Sequence, residues 1–220
     1  MQSSLIFRRI RQLAEEKEKK VYVFCEDVAA SGGYYLAVAG DEIYADTSSI
    51  VGSIGVISAS FGLVRAIDKL GIERRVYTAG LNKGSLDPFL PEKADDVERI
   101  KAIQRDVHDV FIGIVKERRL GRLKGPDSEL FSGAFWSAAK SLEFGLIDGI
   151  SDVRTKMREV HGDKVKLRVV PLERGWLPLR LRRLPSLGGW EGGERAPGLA
   201  FADDLVSAIE ARAIWSRFGL

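Results

Sequence analysis

Cysteine is almost missing from this chain: of 220 residues, only Cys25 carries a thiol. A single thiol excludes an internal disulfide and fits a reducing compartment. It lies in the apolar run Val21-Tyr22-Val23-Phe24-Cys25. That makes it a buried, inert side chain, because a reactive thiolate needs exposure and positive neighbours. Histidine is nearly as scarce, with only His108 and His161. His108 falls beside the apolar stripe of a long helical pattern and His161 at a helix end before Gly162; both read as structural or solvated. No apolar run approaches the ~18 residues of a membrane span. Met1-Gln2-Ser3-Ser4-Leu5 has neither the cationic start nor the apolar stretch of a secretory signal. Excess charge of one sign is lacking too, with 34 basic residues against 31 acidic. No basic cluster is interleaved with aromatics, so no nucleic-acid partner is expected.

What is present is the composition of a globular chain, 45% hydrophobic and 30% charged. Its length fits one domain plus an appendage. Leu5, Ile6, Ile10 and Leu13 form an apolar stripe at helical spacing, which Ser3 or Ser4 can cap. Strands are expected at Val21–Cys25, Glu42–Ala45, Ile54–Ile57, Glu73–Thr78 and Val165–Val170. Short helices are expected at Gly33–Ala39, Leu63–Leu70, Ser137–Phe144 and Val153–His161. A long one, from about Glu92 to Leu120, carries Val97, Ile100, Ile103, Val107, Val110, Ile114 and Val115. Strands alternating with helices predict an α/β fold with largely parallel pairing. Residues 1–170 are read as one domain, 171–200 as a Pro/Gly/Arg-rich linker or arm, and 201–220 as a C-terminal helix.

Ser31 stands out among the serines. The segment Asp27-Val28-Ala29-Ala30-Ser31-Gly32-Gly33 puts it at a strand-to-helix turn, flanked by residues small enough for a substrate backbone to approach. The N–H groups of Gly32 and Gly33 at the helix start lack intrahelical partners and can face an oxyanion. The plain alternative is an N-capping serine with glycines for tight packing. Lys83 follows 52 residues later in Tyr77-Thr78-Ala79-Gly80-Leu81-Asn82-Lys83, a candidate base where histidine is scarce. A base must be neutral near working pH, which for lysine requires burial beside a suitable partner. Otherwise Lys83 is a solvated loop residue.

Taken together, Val28-Ala29-Ala30-Ser31-Gly32-Gly33-Tyr34-Tyr35, Val51-Gly52-Ser53-Ile54-Gly55-Val56 and the Lys83 loop resemble the signal peptide peptidase A family of Ser/Lys serine peptidases, particularly its short single-domain members. Leu70-Gly71-Ile72 and Ala138–Asp148 extend the likeness over roughly residues 2–170. The resemblance implies Ser31 as nucleophile, Lys83 as general base, Ser53 as the residue that orients the lysine, and Gly32 N–H as an oxyanion donor. It implies a Clp-protease/crotonase-like α/β spiral of β-β-α units, assembled into homo-oligomeric rings. The expected substrates are hydrophobic peptides such as signal-peptide remnants, cleaved in the cytoplasm or at the cytoplasmic face of the inner membrane. No metal or cofactor is required.

Family members carry a Pro-Gly-Gly loop before the first helix that supplies a second oxyanion N–H. Here Met1 falls just past where that loop belongs. The expectation is an N-terminally incomplete spiral, with Met1 standing where an internal residue belongs. Two other classes fit the same fold: an inactive truncated homologue serving as an assembly subunit, and an acyl-CoA enzyme. The arm after Pro171, with Trp176 and Arg180, is expected to dock on a neighbouring copy, with peripheral membrane contact as the alternative.

Overall fold

The computed structural model describes residues 2–80 and 82–170. Met1–Val165 forms one compact unit and Lys166–Leu220 a second. The expected linker, terminal helix and docking arm, all beyond residue 170, lie outside the described residues.

After helix α1 (Gln2–Glu16), the chain enters β1 (Tyr22–Cys25), then β2 (Val28–Ala30), then α2 (Gly32–Ala37). The pattern repeats with β3 (Glu42–Ala45) and β4 (Ile50–Gly52), followed by α3 (Val64–Lys69) and α4 (Ala94–Arg118). The remaining elements are α5 (Asp127–Leu130), β5 (Phe135–Ser137), α6 (Ala138–Glu143), β6 (Gly149–Ile150) and α7 (Val153–His161). One sheet has the order β1-β3-β6, all parallel, and the other β2-β4-β5, with β5 antiparallel. The first two turns of the chain thus each give one strand to each sheet and then a helix, while in the last the helix α6 separates β5 from β6. This is the expected α/β spiral of β-β-α units.

The two helices flanking the first unit run parallel. Ser3 meets Gly32, Phe7 stacks edge-on against Tyr35, and Arg11 donates to the Ala39 carbonyl. A Cβ on Gly32 would stand 2.8 Å from the Ser3 hydroxyl, so a larger residue there would require the Ser3 side chain to turn away. Phe7 and Ala14 are therefore the buried face of α1, whereas Leu5, Ile6 and Leu13 are exposed, contrary to the expected stripe. In α4 the buried positions are Asp96, Phe111 and Val115, while Ile103 and Val110 face outward.

Three expected strands are not formed. The ladder of β4 stops at Gly52, because the Ser53 N–H turns to the Ala134 carbonyl and the Gly55 N–H to the Ser53 carbonyl, so Ile54–Ile57 is irregular. Glu73–Thr78 and Val165–Val170 have no neighbouring strand among the described residues, and a strand without a ladder leaves its backbone groups to water. Between residues 56 and 93 no described residue is buried, and Ile57 is 79% and Tyr77 91% exposed. This arm closes partly on itself through Leu63 N–H to Pro88 and an Arg74–Asp87 ion pair. Cys25 is free and buried, and burial pushes its thiol up to about 11.

Candidate functional site

Ser31 caps α2 by position only. Its side chain makes no cap hydrogen bond, and its backbone sits at φ 51, ψ −118. Those angles match the first central position of a type II′ turn, which normally requires glycine. The turn is held from both sides: Ser31 N–H donates to the Gly52 carbonyl at 2.8 Å, and Tyr35 N–H donates to Ser31 at 2.9 Å. The hydroxyl is thus free of structural duty while the backbone beneath it is strained. The N–H groups of Gly32 and Gly33 open the helix beside it.

Ala30 and Gly52 are register partners on the parallel strands β2 and β4. Ser31 and Ser53 therefore follow one residue later at neighbouring carboxyl ends, where open parallel sheets bind ligands. Ser53 also has a positive φ, 53. Of the four such non-glycine residues among those described, two are these serines. Backbone strain of this kind clusters at functional sites. Gly52, at φ 117, lies under the Trp136 ring with no room for a Cβ. On the far side, Nε2 of His108 in α4 donates to the Ile54 carbonyl at 2.9 Å.

The structure thus brings Ser31, Gly32 and Ser53 together but does not join Lys83 to them. Lys83 is exposed on the 56–93 arm, and its Nζ makes no hydrogen bond or ion pair among the described residues. His161 is exposed at the end of α7.

A second network, not legible in the sequence, fixes the helix that presents Ser31. Tyr34, fully buried, donates its hydroxyl to the Leu146 carbonyl at 2.8 Å. Burial pushes its phenol up, so it stays neutral. Arg119, 1% exposed, donates to the Gly145 carbonyl and in a fork to both oxygens of Asp148. Asp148 also accepts from the Ile43 N–H of β3. Burial pushes the Asp148 carboxyl up, but hydrogen bonds from Arg119 and Ile43 and the charges of Arg119 and Arg122 outweigh it and hold the carboxyl below its ordinary range. Asp41 does the same on the other side, pairing with Arg11 of α1 and Arg118 of α4.

Among the described residues no cluster of three or more His, Cys, Asp or Glu could hold a metal, and no helix is long and apolar enough to cross a membrane.

Comparison with known proteins shows what the chain as a whole is similar to. "Na(+)/H(+) antiporter NhaA" of Brucella abortus (strain 2308) is 55% identical over 222 residues, covering 100% of this chain but 30% of that protein. "Serine protease SPPA, chloroplastic" of Arabidopsis thaliana is 30% identical over 67% of this chain and 22% of its own length. "Putative signal peptide peptidase SppA" of Enterococcus faecium is 28% identical over 59% of this chain and 38% of its own. The chain spans well under half the length of each, so no whole-protein activity, transport included, passes to it from a name. The sequence profile of peptidase family S49 matches residues 13–167, well over half of the chain and all of the spiral that carries Ser31 and Ser53. The chain belongs to peptidase family S49.

Proposed function

We propose that this chain is a serine peptidase domain working through a Ser31/Lys83 dyad. The observation that carries the proposal is the strained Ser31 turn with its unbonded hydroxyl beside two free helix N–H groups. Neutral Lys83, oriented by Ser53, accepts the Ser31 proton as Oγ attacks the peptide carbonyl. The Gly32 N–H holds the oxyanion, and the protonated lysine returns its proton to the leaving amine. Lys83 then takes a proton from water, which attacks the ester, and passes that proton to Ser31 Oγ as the second peptide leaves, so serine and neutral lysine are restored. Substrates are extended, hydrophobic peptides such as signal-peptide remnants at the cytoplasmic face of a membrane. The motif resemblance and the name of the Enterococcus relative support this.

Lys83 rides on an arm without buried residues, so the dyad is completed when that arm packs down, on its own body or on another copy in a homo-oligomeric ring. Labelling with a serine-reactive fluorophosphonate tests the core of the proposal. Ser31→Ala should abolish labelling, and Lys83→Ala and Lys83→Arg should both lose peptide hydrolysis, because a guanidinium stays charged. Full labelling of Ser31→Ala, or wild-type turnover by Lys83→Arg, refutes it. Mixing Ser31→Ala with Lys83→Ala restores activity only if the arm crosses between copies.

A further inference from the structure

We infer that His108 is a positioning residue for the Ser53 turn; its catalytic importance rests on the Ser31/Lys83/Ser53 reading above. Ser53 has little to hold it. Its φ of 53 is unfavourable for a residue with a Cβ. β4 ends one residue earlier, and α3 begins only at Val64. Beyond the β4 ladder that ends at Gly52, three bonds hold the turn: Gly52 accepts from Ser31 N–H, Ser53 N–H donates to Ala134 at 2.7 Å, and Ile54 accepts from His108 at 2.9 Å. The first two are backbone bonds that any sequence could make. The third is the side-chain bond, and it comes from another element 54 residues away.

The helix pattern shows why the residue matters. The body-facing stripe of α4 has apolar residues above and below, Ile100 on one side and Phe111 and Val115 on the other, with Gln104 and His108 between them. His108 is half-buried there, a polar ring on a largely apolar stripe. Its donor is spent on the carbonyl adjoining Ser53. Donation to a carbonyl requires the proton on Nε2. His108 also lines a recess of about 200 Å³ with Val56, Lys101, Gln104 and Arg105. Of these side chains only His108 bonds the turn.

Two measurements on the full chain test this. In His108→Phe, which keeps a planar ring but has no donor, the amides of Ser53 and Gly55 should exchange with deuterium at least tenfold faster. The global unfolding midpoint should stay close to wild type. Fluorophosphonate labelling of Ser31 should slow, and kcat for peptide hydrolysis should fall roughly tenfold to a hundredfold at similar KM, because Ser53 acts through the lysine that activates Ser31. His108→Gln, whose amide N–H can serve as donor, should recover part of both losses. Arg105→Gln, which alters the same recess without touching the Ile54 carbonyl, should match wild type. Unchanged amide exchange in His108→Phe overturns the inference, as does faster exchange with wild-type kcat. If His108→Phe fails to fold, the partial rescue by His108→Gln decides the matter, and its absence counts against the role. Loss of the dyad itself is a separate result, because it is read from Ser31→Ala and Lys83→Arg while amide exchange reports on the turn alone.

Discussion

Replacing Ser31 with glycine should make the protein more stable. The serine sits at φ 51, ψ −118, where a Cβ is strained, and its hydroxyl has no hydrogen bond to lose. A residue held in a sparsely populated region costs about 1–3 kcal/mol. Glycine adopts these angles freely but gains entropy in the unfolded chain, a loss of about 0.4–1 kcal/mol. The net expectation is a gain of about 1–2 kcal/mol for Ser31→Gly. Ser31→Ala retains the Cβ and the strain, so it should fall within ~0.5 kcal/mol of wild type. For a domain of this size, the glycine variant should melt roughly 2–8 °C higher than the alanine variant. Urea unfolding of wild type and both variants is the assay, with equal slopes required so that the midpoints report stability alone. Both variants should be inert toward the fluorophosphonate. If glycine is no more stable than alanine, the turn stores no strain and the backbone ceases to argue for a nucleophile at this position.

Arg119→Met should destabilise by about 3–5 kcal/mol, since Asp148 is left without its forked partner, and a urea titration reads this directly. A loss below about 1 kcal/mol would show that the pair is dispensable. Acid should act through the same carboxylate. The folded carboxyl is held below its ordinary value of 3.8, so its stabilising effect is complete above that value. It is lost as pH falls through the lower folded value. Asp148→Asn should lack this component, and identical acid-unfolding profiles for the two proteins would contradict it. Gly52→Ala should lower both stability and labelling rate, because its Cβ would stand 2.7 Å from the Trp136 ring at a φ of 117; wild-type melting and labelling would rule out that steric conflict.

The elements that could be read from the sequence were those whose local pattern agrees with their tertiary partner. Glu42–Ala45 and Val153–His161 are found as expected, the first because apolar residues sit between two parallel strands, the second because Asp152 caps it through the N–H groups of Arg154 and Thr155. The Ile54–Ile57 and Glu73–Thr78 strands failed because a β-rich composition does not specify a neighbour. The strand β2 was missed, since Val28-Ala29-Ala30 is too short to show a period. At the site, the small residues around Ser31 showed where a nucleophile could stand. The left-handed backbone of Ser53 was not legible, because serine is a poor signal for positive φ. Lys83 was legible only as part of a spaced motif: nothing around it in this chain sets it apart from other exposed lysines. The donor role of His108 needs Ile54 brought against α4, which no local window contains.

The bond from Tyr34 to Leu146 joins residues 112 positions apart, and Ile43 to Asp148 spans 105. A ribosome adding about 5–20 residues per second reaches Leu146 roughly 6–22 s after Tyr34. For that interval the nascent chain already carries Ser31 and can pack α2 on α1, through Phe7 against Tyr35, but the Leu146 and Asp148 anchors do not yet exist. The bonds of the Ser31 turn itself, to Gly52 and Tyr35, can form early, whereas the locking of α2 and β3 onto the segment around Leu146 is a late event in synthesis.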